Sequence, residues 1–473
     1  MPFFEIRRPA SLPAAVLTAA LSAAALSALL VGTWPLLAPG QTCTVGGSSC
    51  GVGRRLEANI TEPPLASGNP FSGQSFYVNP SYAASLHPSI ATSEGRIKAT
   101  LTEMQTVPTA YWLSSKARVL GTGTDYMEGI LADAASKSPP QLVIFIVYNL
   151  PNRDCGAKAS GGEICCTYAP NGRCDFNATG NCAAGLEEYR SQYIDNIVDV
   201  LRKFVGRVPI SLVIEPDSLP NLVTRKTGPR CGGNSATVAA YRQGITYAIQ
   251  SIAAVAPQVA MYLDAGNSAW LGGIQHTSDF VALVRELGVA QHLHGLATNV
   301  AAYQPLGIAC PSYDWCLRSS SRNDPCCADP CGVLQRGNPS NNEANYALHL
   351  KEAFAKGISG FQPHIIIDTG RTGVVNMRQS CSNWCNIRGA GVGVKPTAST
   401  QRPQLIDAYF WLKTPGESDG CTKMLPSGMP CPRFDSDCAS VDSIGSRGGE
   451  PRAPEAGQWF DYQVKQLAEN ADM

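Results

Sequence analysis

At several points the chain sets polar, mostly acidic residues directly after a short apolar run: Asn152-Arg153-Asp154, Glu215-Pro216-Asp217, Asp264-Ala265-Gly266, Asn299, Asp368 and Glu417-Ser418-Asp419. Carboxyl groups can donate a proton in one setting and accept one in another, because burial and neighbouring charge move their pKa values apart. Any one of these Asp residues alone reads more naturally as a helix cap or turn former. Several of them at the ends of strands that converge imply a shared acid–base site, provided the fold brings those ends together.

The elements that must do this are legible in the apolar pattern. Residues 109–113, 142–148, 210–214, 259–263, 295–298, 364–367 and 408–412 are short apolar runs without polar alternation, the pattern of parallel strands buried on both faces. Between them, residues 186–205, 237–255, 278–287 and 342–357 repeat apolar residues at helical spacing; Leu186, Tyr189, Tyr193, Ile197 and Val200 share one face. Strand–helix alternation over this many units predicts an α/β fold, a parallel β/α barrel with seven strands. In such a barrel the residues that do chemistry lie at the C-terminal strand ends.

The 473 residues are 44% hydrophobic, enough for one large barrel or two ordinary domains. Lys plus Arg equals Asp plus Glu at 37 each, and no basic run is long enough for a nucleic-acid groove, so no nucleic-acid partner is expected. Arg7 and Arg8 precede an Ala- and Leu-rich stretch over residues 14–37, so residues 1–40 read as a signal peptide or an uncleaved signal anchor. Residues 41–68 read as a linker and 69–473 as the folded domain. Either topology puts that domain in an oxidising compartment, secreted or held outside a membrane. The 18 cysteines agree: their spacings are irregular and only six His accompany them, which favours disulfides over zinc, and no metal or cofactor is expected. Asn59-Ile60-Thr61 and Asn177-Ala178-Thr179 fit N-glycosylation acceptors.

The strand-end segments also carry a resemblance. Tyr148-Asn149-Leu150-Pro151-Asn152-Arg153-Asp154-Cys155, Ile214-Glu215-Pro216-Asp217-Ser218-Leu219, Tyr262-Leu263-Asp264-Ala265-Gly266, Gly295-Leu296-Ala297-Thr298-Asn299-Val300, Asn383-Trp384-Cys385-Asn386 and the run 413–420 occur in the order found in glycoside hydrolase family 6 cellulases of the cellobiohydrolase II type. The chain resembles that family over residues 69–470. The resemblance implies a distorted seven-stranded β/α barrel with long disulfide-bonded loops over the cleft. It also implies inverting hydrolysis of β-1,4-glucosidic bonds in a cellulose or cello-oligosaccharide chain, by a monomer.

By that resemblance Asp217 is the proton donor, Asp154 sustains its raised pKa and shares in proton transfer through water, and Ser160 holds the water chain. Asp419 matches a residue proposed as base, and Tyr148 one that presses on the distorted sugar. Asp264, Lys413, Glu417 and Asn299 are expected to bind the sugar. Trp384, Trp270, Trp112 and Tyr77 are expected to stack on its apolar faces. Cys155 is expected to pair with Cys231 and Cys385 with Cys438; Cys421 with Cys431 and Cys43 with Cys50 are expected as local pairs on nearness in sequence alone.

Two long loops, residues 155–193 and 420–459, carry many of the cysteines. Long cross-linked loops imply an enclosed site and release of cellobiose from non-reducing chain ends. The alternatives are an endo-acting β-1,4-glucanase of the same family and a non-catalytic glucan-binding protein, against which Asp154, Ser160, Asp217 and Asp419 together argue. The sequence departs from the family pattern at Asn152, Asn267, Ala302 and Gly273. Gly273 stands in place of an outer tryptophan that would hold crystalline chains.

Overall fold

Val143–Val147 is apolar at every position, so both of its faces need cover. The computed structural model, which describes residues 68–473, supplies both. Val143, Phe145 and Val147 point into a core shared with the surrounding helices, while Ile144 and Ile146 point into a second core inside the barrel with Val213, Tyr262, Ile366 and Phe410.

The elements in chain order are α1 (Pro80–Ala91), α2 (Gly95–Met104), β1 (Tyr111–Leu113), α3 (Met127–Ser136), β2 (Val143–Val147), α4 (Ala183–Tyr189), α5 (Asp195–Phe204), β3 (Ile210–Ile214), α6 (Ser218–Thr224), α7 (Ser235–Val255), β4 (Ala260–Asp264), α8 (Ser268–Leu271), α9 (Ile274–Leu287), β5 (Gly295–Thr298), α10 (Glu343–Gly357), β6 (His364–Asp368), β7 (Ile406–Phe410) and α11 (Asp461–Glu469). The seven strands form one sheet in sequence order, each parallel to the next. Its two ends meet through single bonds: Ala110 N–H to the Trp411 carbonyl at 3.0 Å and the Trp112 indole N–H to the Leu412 carbonyl at 2.9 Å. The barrel is therefore distorted, with a loosely joined seam between β1 and β7. Among the described residues no helix is long and apolar enough to cross a membrane.

Asparagines start several helices. Asn234 accepts the Thr237 N–H before α7, Asn342 the Asn345 N–H before α10, and Asn79 the Ser81 N–H before α1. Each satisfies a backbone donor that the first helical turn leaves unpaired.

Two elements differ from the sequence expectation. The helix expected over 186–205 is α4 and α5 joined by a π turn at Arg190–Ile194. A π turn lets one extra residue in, which rolls the buried face. Here the roll brings Tyr189 and Tyr193 together, ring centroids 5.5 Å apart, below the ends of β1 to β3. The last strand begins at Ile406 rather than Ala408, because the apolar pattern breaks at Asp407. Asp407 sits at a register shift, Ile365 pairing with Ile406 and Ile366 with Ala408. Its buried carboxylate is satisfied by three side chains at the base of the barrel: Tyr262 OH at 2.7 Å, His294 Nε2 at 3.0 Å and His364 Nδ1 at 2.8 Å.

Candidate active site

The C-terminal strand ends open into a cavity of about 940 Å³. The backbone there is held in conformations that L-residues seldom adopt. After β2, Asn152 and Asp154 have φ of 56° and 63°; after β3, Glu215 and Asp217 have 46° and 64°; after β5, Asn299 and Ala301 have 61° and 56°. Positive φ at non-glycine residues costs on the order of 1–3 kcal/mol each and persists only where surrounding contacts over-determine it.

Buried carboxylates supply those contacts. Glu215, fully buried, accepts the N–H groups of Asn149 (3.1 Å) and Leu150 (3.3 Å) and the Tyr189 hydroxyl (2.7 Å), and so holds the end of β2. Asp264 Oδ2 accepts the N–H of Asp217 (2.9 Å) and of Gly266 (3.2 Å). Asp368 accepts the N–H groups of Ala301 (3.0 Å), Gly370 (2.9 Å), Leu412 (3.2 Å) and Lys413 (2.9 Å). Burial pushes Glu215 and Asp264 up to about 7 and Asp368 up to about 6, against the pull of these N–H donors.

Asp217 faces the cavity. Its backbone is fixed by Asp264 and by Asn221, whose side-chain amide donates to the Asp217 carbonyl at 2.6 Å. No hydrogen bond within the described residues reaches its carboxyl group. Burial, then the like charges of Asp264 and Asp154, push its pKa well above the carboxylate range. Asp154 also lines the cavity; its Oδ2 accepts the Ser160 N–H at 2.9 Å, and burial raises its pKa against that bond and the nearby Arg153 and Arg230. Asp419 is built the opposite way. Arg371 Nη1 lies 2.6 and 2.8 Å from its two oxygens, and the Tyr303 hydroxyl (2.6 Å) and Asn386 N–H (2.8 Å) also donate to it.

Three tryptophans line the cavity and are fixed through their indole N–H groups: Trp112 to the Leu412 carbonyl, Trp270 to Thr224 Oγ1 (2.9 Å) and Trp384 to Asp437 Oδ2 (2.9 Å). The Trp270 ring rests against Gly266, where φ is +60° and a Cβ would lie 3.0 Å from the ring, so only glycine fits. Tyr148 meets Trp112 edge-on at 5.1 Å, and the Arg153 guanidinium lies over the Tyr148 ring at 4.3 Å. Lys413 pairs with Glu417 at 3.0 Å, and both reach the cavity.

The structure thus brings Asp217, Asp154, Asp419, Ser160, Tyr148, Trp112, Trp270, Trp384, Lys413 and Glu417 to one cavity. Three expected sugar contacts lie elsewhere. Tyr77 is buried near the start of β2, its hydroxyl on Asp133 at 2.7 Å; the neighbouring Phe76 bridges to Leu142, which puts the segment at the opposite end of the barrel. Asn299 is fully buried and donates to the Asp368 carbonyl at 2.9 Å, so its amide stabilises the turn after β5. Asp264 lies beneath Asp217 with 1% exposure and is occupied by backbone donors. Sequence reasoning also missed Arg371, Tyr303 and Glu215 as positioning groups. Glu215 has a signal, its place in Glu-Pro-Asp; Arg371 and Tyr303 have none, since only tertiary contact joins them to Asp419.

Loops 155–193 and 420–459 meet along the cavity wall. Lys158 N–H donates to Asp435 Oδ2 at 2.6 Å, Arg433 Nη1 to the Gly161 carbonyl at 3.2 Å, and Arg173 to the Pro432 carbonyl. Disulfides brace them: Cys155–Cys231, Cys165–Cys174 and Cys166–Cys182 on one side, Cys421–Cys431 and Cys385–Cys438 on the other. Cys310–Cys326, Cys316–Cys327 and Cys331–Cys381 account for the other described cysteines; Cys43 and Cys50 lie outside the described residues, as do the expected signal segment and linker.

Comparison with known proteins bears on the same span. Residues 71–471 match the model for glycosyl hydrolases family 6. The chain is 36% identical over 419 residues to Exoglucanase 3 of Agaricus bisporus, covering 86% of this chain and 79% of that protein. It is 37% identical over 421 residues to a probable 1,4-beta-D-glucan cellobiohydrolase C of Aspergillus fumigatus, covering 86% and 78%. The catalytic core domain of a cellobiohydrolase from Chaetomium thermophilum superposes with a TM-score of 0.67 at 32% identity, covering 86% of this chain and 99% of that one.

Proposed function

The chain belongs to glycosyl hydrolases family 6, and from that premise we propose that it is an exo-acting, inverting β-1,4-glucan hydrolase that releases cellobiose from non-reducing ends. The observation that carries the chemistry is the contrast among the cavity carboxyls. Among the described residues Asp217 is the one whose carboxyl has no hydrogen-bond donor and whose pKa is raised by burial and by two like charges. A carboxyl whose pKa is raised in this way holds its proton more tightly than an ordinary aspartate and can give it to the leaving glycosidic oxygen.

Inversion also needs a proton acceptor for the attacking water on the opposite face. Asp419 is a poor acceptor, since an arginine, a phenol and a backbone N–H already hold both its oxygens. Asp154 accepts one N–H, from Ser160, and keeps its other oxygen available. We assign proton acceptance to Asp154, relayed through water beside Ser160, and to Asp419 the role of holding negative charge and loop position near the oxocarbenium-like transition state. Trp112, Trp270 and Trp384 provide stacking surfaces, with Lys413 and Glu417 for the hydroxyls.

The exo reading rests on the two braced loops that bond to each other along the wall, because a roofed site admits a chain by its end more readily than by its middle. Sixteen described cysteines in disulfides support an oxidising, extracellular location. Cellohexaose digestion followed by NMR tests the proposal: cellobiose and cellotetraose should appear first, with new ends as the α-anomer. New ends formed as the β-anomer would overturn inversion, and rapid thinning of carboxymethylcellulose with little cellobiose would overturn the exo mode.

A further inference from the structure

The segment between β5 and α10 forms a third wall of the cavity. Two disulfides close it internally, Cys310–Cys326 and Cys316–Cys327, and Cys331–Cys381 ties it to the segment before Trp384. Its far end docks on the turn that carries Trp270: Asn338 Nδ2 donates to the Ser268 carbonyl at 2.9 Å and Ser340 Oγ to the Gly272 carbonyl at 3.2 Å. Between the tie and the dock stands Arg336, exposed and lining the cavity, with a hydrogen bond to the Cys331 carbonyl at 3.2 Å.

A second arginine follows the residue that holds the Trp270 ring. Thr224 takes the Trp270 indole N–H, and the next residue, Arg225, is exposed and lines the cavity, its Nε on Asn221 Oδ1 at 3.1 Å. Neither arginine has a carboxylate partner within the described residues. Of the other cations of this cavity, Lys413 pairs with Glu417 and Arg433 with Glu455, Arg153 and Arg378 each give several hydrogen bonds to backbone carbonyls, and Arg118 donates to the Tyr111 hydroxyl at 2.5 Å. Beyond Trp270 the chain offers Gly273, with no side chain to stack on a further sugar.

We propose that Arg225 and Arg336 flank Trp270 as a subsite for an anionic substituent on the glucan chain, a uronosyl carboxylate or a sulfate half-ester. The proposal rests on the reading of the cavity as a β-1,4-glucan site. A guanidinium presents a planar fork of donors that matches a carboxylate or sulfate, and the bond is charge-assisted. Deeper in the cavity Asp154, read above as the proton acceptor, disfavours a second negative charge, which places the charged unit at the Trp270 end. Stacking that a neutral crystalline chain would gain on an outer tryptophan is replaced here by charge.

The test is calorimetric titration of the Asp217→Ala variant, which binds without cutting, with neutral cellohexaose, with cello-oligosaccharides partly oxidised to carboxylate at C6, and with their sulfated counterparts. The carboxylated or the sulfated ligand should bind more tightly than the neutral one at low salt, and the titrations show which anion is preferred. The ratio of anionic to neutral affinity should fall about tenfold on adding Arg225→Gln with Arg336→Gln, since each exposed pair is worth a few-fold. It should also fall as salt is raised to 0.3 M, because exposed charges are screened. Arg225→Lys with Arg336→Lys should keep part of the preference. An unchanged ratio in the glutamine variant, or no anion preference at all, overturns the proposal. Absence of binding by neutral cellohexaose would instead strike at the glucan-site reading.

Discussion

The barrel buries a carboxylate cluster at each end, and the two are held in opposite states. At the base, Asp407 receives Tyr262, His294 and His364; burial alone would raise its pKa, but these donors outweigh it and hold the group below the ordinary range. At the mouth, Asp217 is only partly buried and faces the cavity, receives no hydrogen-bond donor on its carboxyl among the described residues, and is raised in pKa by desolvation and by the like charges of Asp264 and Asp154. The more deeply buried group is the one held ionised, so partners and not depth of burial set the direction. A carboxylate whose partners are complete contributes structure; one whose partners are withheld keeps a proton to give.

This contrast can be broken at several points. Asp217→Asn removes the proton donor and should lower kcat on cellohexaose about a thousandfold while thermal unfolding stays near wild type. A loss under tenfold would remove Asp217 from its role. Arg371→Met strips Asp419 of its cation and leaves a buried charge, so unfolding free energy should drop by about 4 kcal/mol in denaturant titrations.

Asp264→Asn tests whether the mouth carboxylates raise one another. Loss of that like charge lowers the Asp217 pKa, so the alkaline limb of the pH–rate profile should move to lower pH by on the order of one unit. An unmoved limb would assign the shift to burial alone. Tyr77→Phe should cost about 1 kcal/mol through the lost bond to Asp133 and leave cellohexaose turnover unchanged; a rise in KM would return Tyr77 to the sugar site.

The smallest effect belongs to the base. The Asp407 hydrogen bond raises the folded pKa of His364 above 6.5. The stability it adds is whole below the unfolded value and is lost as pH rises through the folded one. Asp407 runs the other way: with a folded pKa below 3.8, its contribution is present above 3.8 and lost as pH falls through the folded value. Wild-type Tm should therefore slip by a degree or so more than that of His364→Gln between pH 6 and 8. Parallel curves would mean that His364 does not titrate in that window.

Much of this was readable from the chain before any contact was known. Continuous apolar runs alternating with helical periodicity specified a parallel barrel, because a strand covered on both faces cannot afford a polar side. Strand-end acids, the Glu-Pro-Asp run and the clustered cysteines located the mouth and its braced loops. The runs also misled where a polar residue sits inside an element: β7 passes through Asp407, whose three donors lie on β4 to β6 or just before them and cannot be inferred from neighbours in sequence.

Periodicity along the chain therefore specified strand count, strand order, the segments that reach the mouth and the residue types available there. Tertiary structure alone decided which of those residues face the cavity and which are consumed as supports. Asp264 and Asn299 look like ligands and are braces, Tyr77 is an aromatic at the wrong end, and Arg371 is silent in sequence yet neutralises Asp419 48 residues away. The physical reason is range. Periodicity is a local property of the chain, whereas a carboxyl's pKa and accessibility depend on which donors and like charges long-range packing sets around it.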